Sequence, residues 1–245
     1  MKLDARWIGL AIGVMMTAGC TIHHDGDGVS ISRETIRSTQ NVAREKVAKA
    51  EMVQAEFSMG AGKLELRGGA KELFEGEFAY SVPEWKPEVR YEGGGFRGRL
   101  TVQQGGKGTT QIGEMKNEWV MRLANDIPLD LNIRCGAGEN EVDLHELTVR
   151  SAEVHLGAGQ VNMDLRIHPA KDVDVKIEGG VGEAKVRVPR DLAVEAEASG
   201  GLGEIKVDGM KKDGNRWVTD AYGKGGPTIR LSVKGGIGSI RIVAE

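Results

Sequence analysis

The stretch Leu129–Leu165, LDLNIRCGAGENEVDLHELTVRSAEVHLGAGQVNMDL, decides the architecture. It carries Gly-Ala-Gly twice, at Gly136–Gly138 and at Gly157–Gly159. Ahead of the first triplet, apolar residues fall on alternate positions: Leu129, Leu131, Ile133 and Cys135. Behind it the alternation resumes one residue out of phase, at Val142 and Leu144, and behind the second at Val161, Met163 and Leu165. Strand side chains alternate between two faces, so a slip of one residue would turn the apolar row outward. An extra residue that bulges or corners the backbone restores the row. Glycine suits that corner because it reaches φ > 0 without a Cβ clash. Each triplet therefore reads as a strand–corner–strand joint with both arms facing one core. The middle residue is expected to keep the inward phase.

The same triplet, always with an apolar middle residue, occurs at Gly60-Ala61-Gly62, Gly136-Ala137-Gly138, Gly157-Ala158-Gly159, Gly180-Val181-Gly182, Gly201-Leu202-Gly203 and Gly236-Ile237-Gly238. The four central triplets start 21, 23 and 21 residues apart. A fixed period of this size is the signature of stacked coils. The chain is thus expected to be all-β: a β-solenoid-like stack of short strands with Gly-x-Gly corners, repeating about every 21–23 residues. The last coil is expected near Gly236. A phosphate-binding glycine loop would need a helix behind it, whereas every triplet here is followed by a second β-alternation. Residues 210–227 interrupt the period with Lys211-Lys212-Asp213-Gly214, Trp217 and Tyr222. They read as an inserted hairpin or as a cap over the last coil. The cap is favoured because a solenoid must protect its end.

Of 245 residues, 40% are hydrophobic but only 4% aromatic, which predicts an aliphatic core. Glycine, at 36 residues, is about twice its usual share of roughly 7%. A net charge of −3 gives no basic surplus for nucleic acid. The chain opens with Lys2 and Arg6, then ten apolar residues from Trp7 to Met16, then Thr17-Ala18-Gly19-Cys20. The apolar run is too short to span a bilayer, which takes about 20 residues, and suits a secretory leader. The small residues before Cys20 resemble a bacterial lipobox. This implies a leader over 1–19 and a lipidated Cys20 that holds the protein to a membrane. Thr21 is not the Asp that retains such proteins at an inner membrane, so in a cell with two membranes the outer one is expected.

With Cys20 acylated, Cys135 has no partner for a disulfide and reads as a small buried hydrophobe. Residues 20–50 read as a polar tether. His23, His24, Asp25 and Asp27 within it lack the spacing of a metal site, and no metal or cofactor is expected. A β region over 51–127 precedes the solenoid repeats of 128–245, with the capping insertion near 210–227. Glu84-Trp85-Lys86-Pro87 reads as a turn with a large anchor, and Gly93–Gly95 as a hairpin connection. Asn140 falls on the inward row, where a buried amide must find hydrogen bonds.

The segments Met59-Gly60-Ala61-Gly62-Lys63-Leu64-Glu65-Leu66-Arg67-Gly68-Gly69-Ala70, Leu73–Phe78 and Trp85-Lys86-Pro87-Glu88-Val89 resemble the bacterial toast-rack family, related to cell-wall-active-antibiotic-response and adhesin-like proteins. The resemblance implies an extracytoplasmic all-β domain, a place beside envelope-stress signalling, and no catalytic residues. Among the histidines, His145 and His155 with Asp143 lie on outward positions and could share one surface. No Gly-x-Ser-x-Gly, His-Glu-x-x-His or Cys-x-x-Cys motif accompanies them. Asp164, Arg166, Asp174, Lys176, Lys185 and Arg187 also alternate outward and read as cross-strand charge pairs. The leading reading is a lipid-anchored, non-enzymatic interaction or scaffold module, its partner another envelope protein or an envelope polymer. A polysaccharide-active solenoid enzyme is the alternative. Self-association through open solenoid ends is a third option.

Overall fold

A computed structural model describes residues 13–15, 21–25, 28–32, 34–47, 50–106 and 115–245. In chain order the strands are β1 (Gly13–Met15), β2 (Thr21–Asp25), β3 (Gly28–Ser32), β4 (Ile36–Val42), β5 (Met52–Arg67), β6 (Phe74–Tyr80), β7 (Glu88–Gly94), β8 (Arg97–Gln103) and β9 (Asn117–Leu123). They continue with β10 (Leu129–Asp143), β11 (Val149–Asp164), β12 (Val173–Val188), β13 (Ala193–Leu202), β14 (Ile205–Asp208), β15 (Lys211–Asp213), β16 (Arg216–Val218) and β17 (Thr228–Ala244). Two short 3-10 turns, at Arg44–Val47 and Pro83–Trp85, are the helical elements among the described residues.

The fold is an all-β, solenoid-like stack. The core order is β5-β10-β11-β12-β17-β13, every neighbour parallel. The two arms of each joint merge into a single bent strand of 15 to 17 residues in β5, β10, β11, β12 and β17. The triplets align as a column, with Gly138 paired to Gly62 on one side and Gly159 on the other. Gly138 has φ +132°, and a Cβ there would stand 1.8 Å from the Gly62 carbonyl oxygen. At Gly136 φ is ordinary, but a Cβ would lie 2.3 Å from the Gly60 carbonyl oxygen. The second glycine thus supplies the turn, and both let neighbouring backbones close together.

The middle residue does not keep the inward phase. Val181, Leu202 and Ile237 are 52%, 70% and 54% exposed. Glycine backbones fill the inner side of the corner, so the side chain between them can project only outward. The triplet at Gly236 is not the last coil either. β17 is inserted between β12 and β13, and β13 with β14 forms the terminal coil. The order fits the side chains. β17 brings Ile229, Leu231, Val233, Ile240 and Ile242 and is buried between two strands. The inward row of β13 is Val194, Ala196 and Ala198, slight enough for an end position.

The other end is built differently. β8 pairs with the first arm of β5 and β9 with the second, so β8 and β9 together stand for one coil without a glycine triplet. β7 pairs antiparallel with β8, β6 with β9, and β4 with β6. Phe57, Phe74, Phe78, Tyr80, Trp85 and Trp119 are all buried here. The few aromatics are therefore concentrated at one end, while the stack proper is aliphatic as composition predicts. The expectation of a tether over 20–50 is corrected at Ile36–Val42, which is a strand of the sheet. Its inward row of Ser38, Gln40 and Val42 is mostly polar, which hid the alternation. Gln40 donates to the Pro87 carbonyl at 2.7 Å and so is tolerated inside.

Candidate functional site

The outward side chains of the first arm form three ladders at strand spacing. The first runs Gln54, Asp130, Ser151, Asp174, Arg230, Glu195. The second runs Glu56, Asn132, Glu153, Lys176, Ser232, Glu197. The third runs Ser58, Arg134, His155, Glu178, Lys234, Ser199. Between the first two lies an open groove of about 640 Å³ that crosses six strands of the stack.

The rungs are bonded to one another. Ser151 Oγ donates to Asp130 at 3.0 Å, and Arg230 bridges Asp174 and Asp172. Arg216, from the β15–β16 hairpin, reaches the last rung of the first ladder with a 2.6 Å bond to Glu195. Lys176 Nζ lies 2.9 Å from Glu178 and 3.3 Å from Glu153, and the ring nitrogens of His155 lie 3.0 Å from Glu153 and 3.4 Å from Glu178. The bond from Lys176 holds the Glu178 carboxyl below the ordinary carboxylate range. The Thr228 backbone N–H, then Arg230, does the same for Asp172. A general acid for glycoside cleavage needs the opposite shift. The face offers a wide array of hydrogen-bonding groups rather than one polarised centre.

The structure separates several residues that the sequence placed together. His155 is on the first-arm face, whereas Asp143 is on the second arm and accepts the His145 backbone N–H at 3.0 Å. Asp164, expected outward, is 6% exposed. Arg166 grips it through two bonds of 2.9 and 2.6 Å, and Arg187 stands at 3.3 Å. Burial pushes its carboxyl up, but these bonds outweigh burial and hold it below the ordinary range. Cys135 is buried, which pushes its thiol up, away from the reactive thiolate. Asn140 is buried in β10, and its amide donates to the Gln160 carbonyl at 3.2 Å. Cys20 lies outside the described residues, as does Asp27. The glycines Gly60, Gly62, Gly136, Gly138, Gly157, Gly159, Gly180, Gly182, Gly201, Gly203, Gly236 and Gly238 lie in the single corner column. No group of three or more metal-binding side chains occurs among the described residues.

Sequence reasoning missed Gln104 and Asn117, which cap the column at the aromatic end. Gln104 Oε1 accepts the Gly60 N–H at 2.9 Å, and Asn117 Nδ2 donates to the Ala61 carbonyl at 2.7 Å. Asn117 Oδ1 accepts the buried Trp119 indole N–H at 2.9 Å. The available signal was Trp119 itself, since a buried indole needs an acceptor nearby.

The family model for the N-terminal domain of toast_rack, DUF2154, matches residues 31–187, more than half of the chain. The chain belongs to the toast-rack family. A second model, "Cell wall-active antibiotics response LiaF, C-terminal", matches residues 137–242 of this toast-rack chain. Among solved structures, a "putative cell adhesion protein" from Clostridium sporogenes ATCC 15579 is 32% identical, with a TM-score of 0.82 over 86% of this chain and 100% of that one. A "putative adhesin" from Bacteroides fragilis NCTC 9343 is 13% identical, with a TM-score of 0.29, covering 88% of this chain and 100% of that one. No curated protein matches the toast-rack chain. No helix among its described residues is long and apolar enough to cross a membrane.

Proposed function

We propose that this toast-rack protein is a lipid-anchored, non-enzymatic interaction module of the cell envelope. The observation that carries the reading is the ladder face. Its charges are mutually paired across strands, its groove is open along the stack, and its shifted carboxylates lie low. Such a surface suits broad contact with another polar surface, a protein or an envelope polymer, rather than chemistry at one bond. The adhesion name of the Clostridium sporogenes relative and the cell-wall antibiotic-response name of the second family model support an envelope setting and a link to envelope stress.

Anchoring rests on Trp7–Met16 and on Thr17-Ala18-Gly19-Cys20. A multiply acylated cysteine anchors stably where a single chain does not. In a cell with two membranes the outer one is the proposed site. Cys20→Ala should move the protein from the membrane to the soluble fraction of lysed cells, and tight membrane retention of that variant would overturn the anchor. A photo-crosslinking residue at Ser151 or Ser232, within the groove, should capture one envelope component in intact cells. Equal capture from Lys185, on the opposite arm, would count against the ladder face.

A further inference from the structure

Among the described residues, the β13–β14 end combines an unpaired strand edge with an open core. β16 covers β13 only at Glu195 and Ala196. From Glu197 to Asp208 no strand among the described residues pairs on the far side. The core is open there too. One inward row runs Trp119, Leu64, Asn140, Val161, Ala184, Ile240, Ile205. Trp119 and Leu64 are 0% exposed and Ile240 is 4% exposed, yet Ile205 is 38% exposed because no described residue continues the row beyond it. Beside it, Leu202 and Ile237 project from the corner. Exposed aliphatic side chains along an unpaired edge invite another strand.

The shape of this edge selects its occupant. The corner at Leu202–Gly203 divides it into five residues on the first arm, 197–201, and five on the second, 204–208. A two-fold axis that bisects the corner exchanges the two arms. A second copy rotated about that axis lays its second arm antiparallel against the first arm of the original. Register about the corner then sets Ala198 opposite Val207 and Gly200 opposite Ile205, inward residue against inward residue. A strand pair keeps its faces only in such a register. Ser199 meets Lys206 on the outer side, and Leu202 comes next to the axis and its own copy. The Glu197–Asp208 pairing is relieved by Arg241, which already binds Asp208 at 3.3 Å.

We propose that this toast-rack chain forms an isologous dimer through the edge 197–208, joining two stacks end to end with a continuous aliphatic core. A two-fold interface closes on itself. The opposite end of each stack is covered by β4, β6, β7, Gln104 and Asn117, so assembly stops at two. The edge lies apart from the middle of the ladder groove, which stays open in the dimer, and the inference does not depend on the anchor or on the groove's partner.

The test uses the full chain, purified in mild detergent. Sedimentation should show a dimer. Leu202→Cys should form a disulfide-linked dimer under mild oxidation, while Phe96→Cys, equally exposed on the β7–β8 connection, should not. Leu202→Glu with Ile205→Lys should abolish the dimer and leave the far-ultraviolet β spectrum unchanged. A monomer throughout would overturn the proposal, whether residues of the same chain or a different protein cover the edge. Equal crosslinking at positions 202 and 96, or a dimer indifferent to the double substitution, would overturn it as well.

Discussion

The two ends of the stack solve one problem in opposite ways. Beyond β5, the inward row continues into Trp119, packed edge-on against Phe78 at 5.5 Å, and polar side chains satisfy the glycine backbone. Beyond β17, the row continues into Ile205 and, among the described residues, stops there. Both ends carry a split coil, β8 with β9 and β13 with β14, and both have a bent strand drawn from elsewhere in the chain beneath it, β5 and β17. The ends differ in the structure laid over each split coil. At the first end three further strands, six buried aromatics and two capping amides close the core. At the second a three-residue hairpin strand covers two residues. The insertion over 210–227 is thus a cap for the start of β13 alone. One end has been made a terminus and the other has been left able to accept a strand.

The largest expected effect comes from the two extremes of the same inward row. Trp119→Ala should cost about 3–5 kcal/mol in denaturant unfolding, from a fully buried site. In the monomeric form, Ile205→Ala should cost about 1 kcal/mol or less, because its side chain is already partly in water. Comparable losses would erase the distinction between the ends. Next in size, Asn117→Ala removes the indole's acceptor and the donor to Ala61 together, for an expected loss of about 1–3 kcal/mol. Amide exchange at 60–62 should then rise toward that at 201–203. An unchanged exchange rate would mean that the cap is dispensable.

The smallest effect sits between the ends, where Asp164 ties β11 to β12 through Arg187. Its carboxyl is held below its unfolded value, so the stability it contributes is present above the unfolded pKa and is lost as pH falls through the folded one. Below about pH 4 the protein should weaken, and Asp164→Asn should flatten that acid-side slope at a cost of about 1 kcal/mol at neutral pH. An unaltered slope would assign the acid sensitivity to other groups.

Much of this was legible in the residues. The alternation on either side of each triplet gave the bent arms, and the period gave the stack, because a one-residue slip at glycine has a single physical remedy in a strand. The hairpin at Gly93–Gly95 and the buried anchor at Trp85 were legible for similar local reasons. β4 was not, because Ser38 and Gln40 put polar residues on its inward row, and the Gln40 amide is satisfied there only by the carbonyl of Pro87, distant in sequence. Asp164 does fall on the outward row that parity assigns it, opposite Arg187, but two arginines lie over it and bury it.

The bent, glycine-cornered strands and their shared interior follow from the order of residues alone, since both arise from backbone geometry and from where apolar side chains fall within each repeat. Contacts between distant strands settled that β17 slips beneath β13, that the corner side chains point to solvent, and that, among the described residues, one end is sealed while the other is open. Those outcomes depend on which parallel neighbour offers the deeper apolar row and on carbonyls approaching from other strands, and no local pattern in the chain records either.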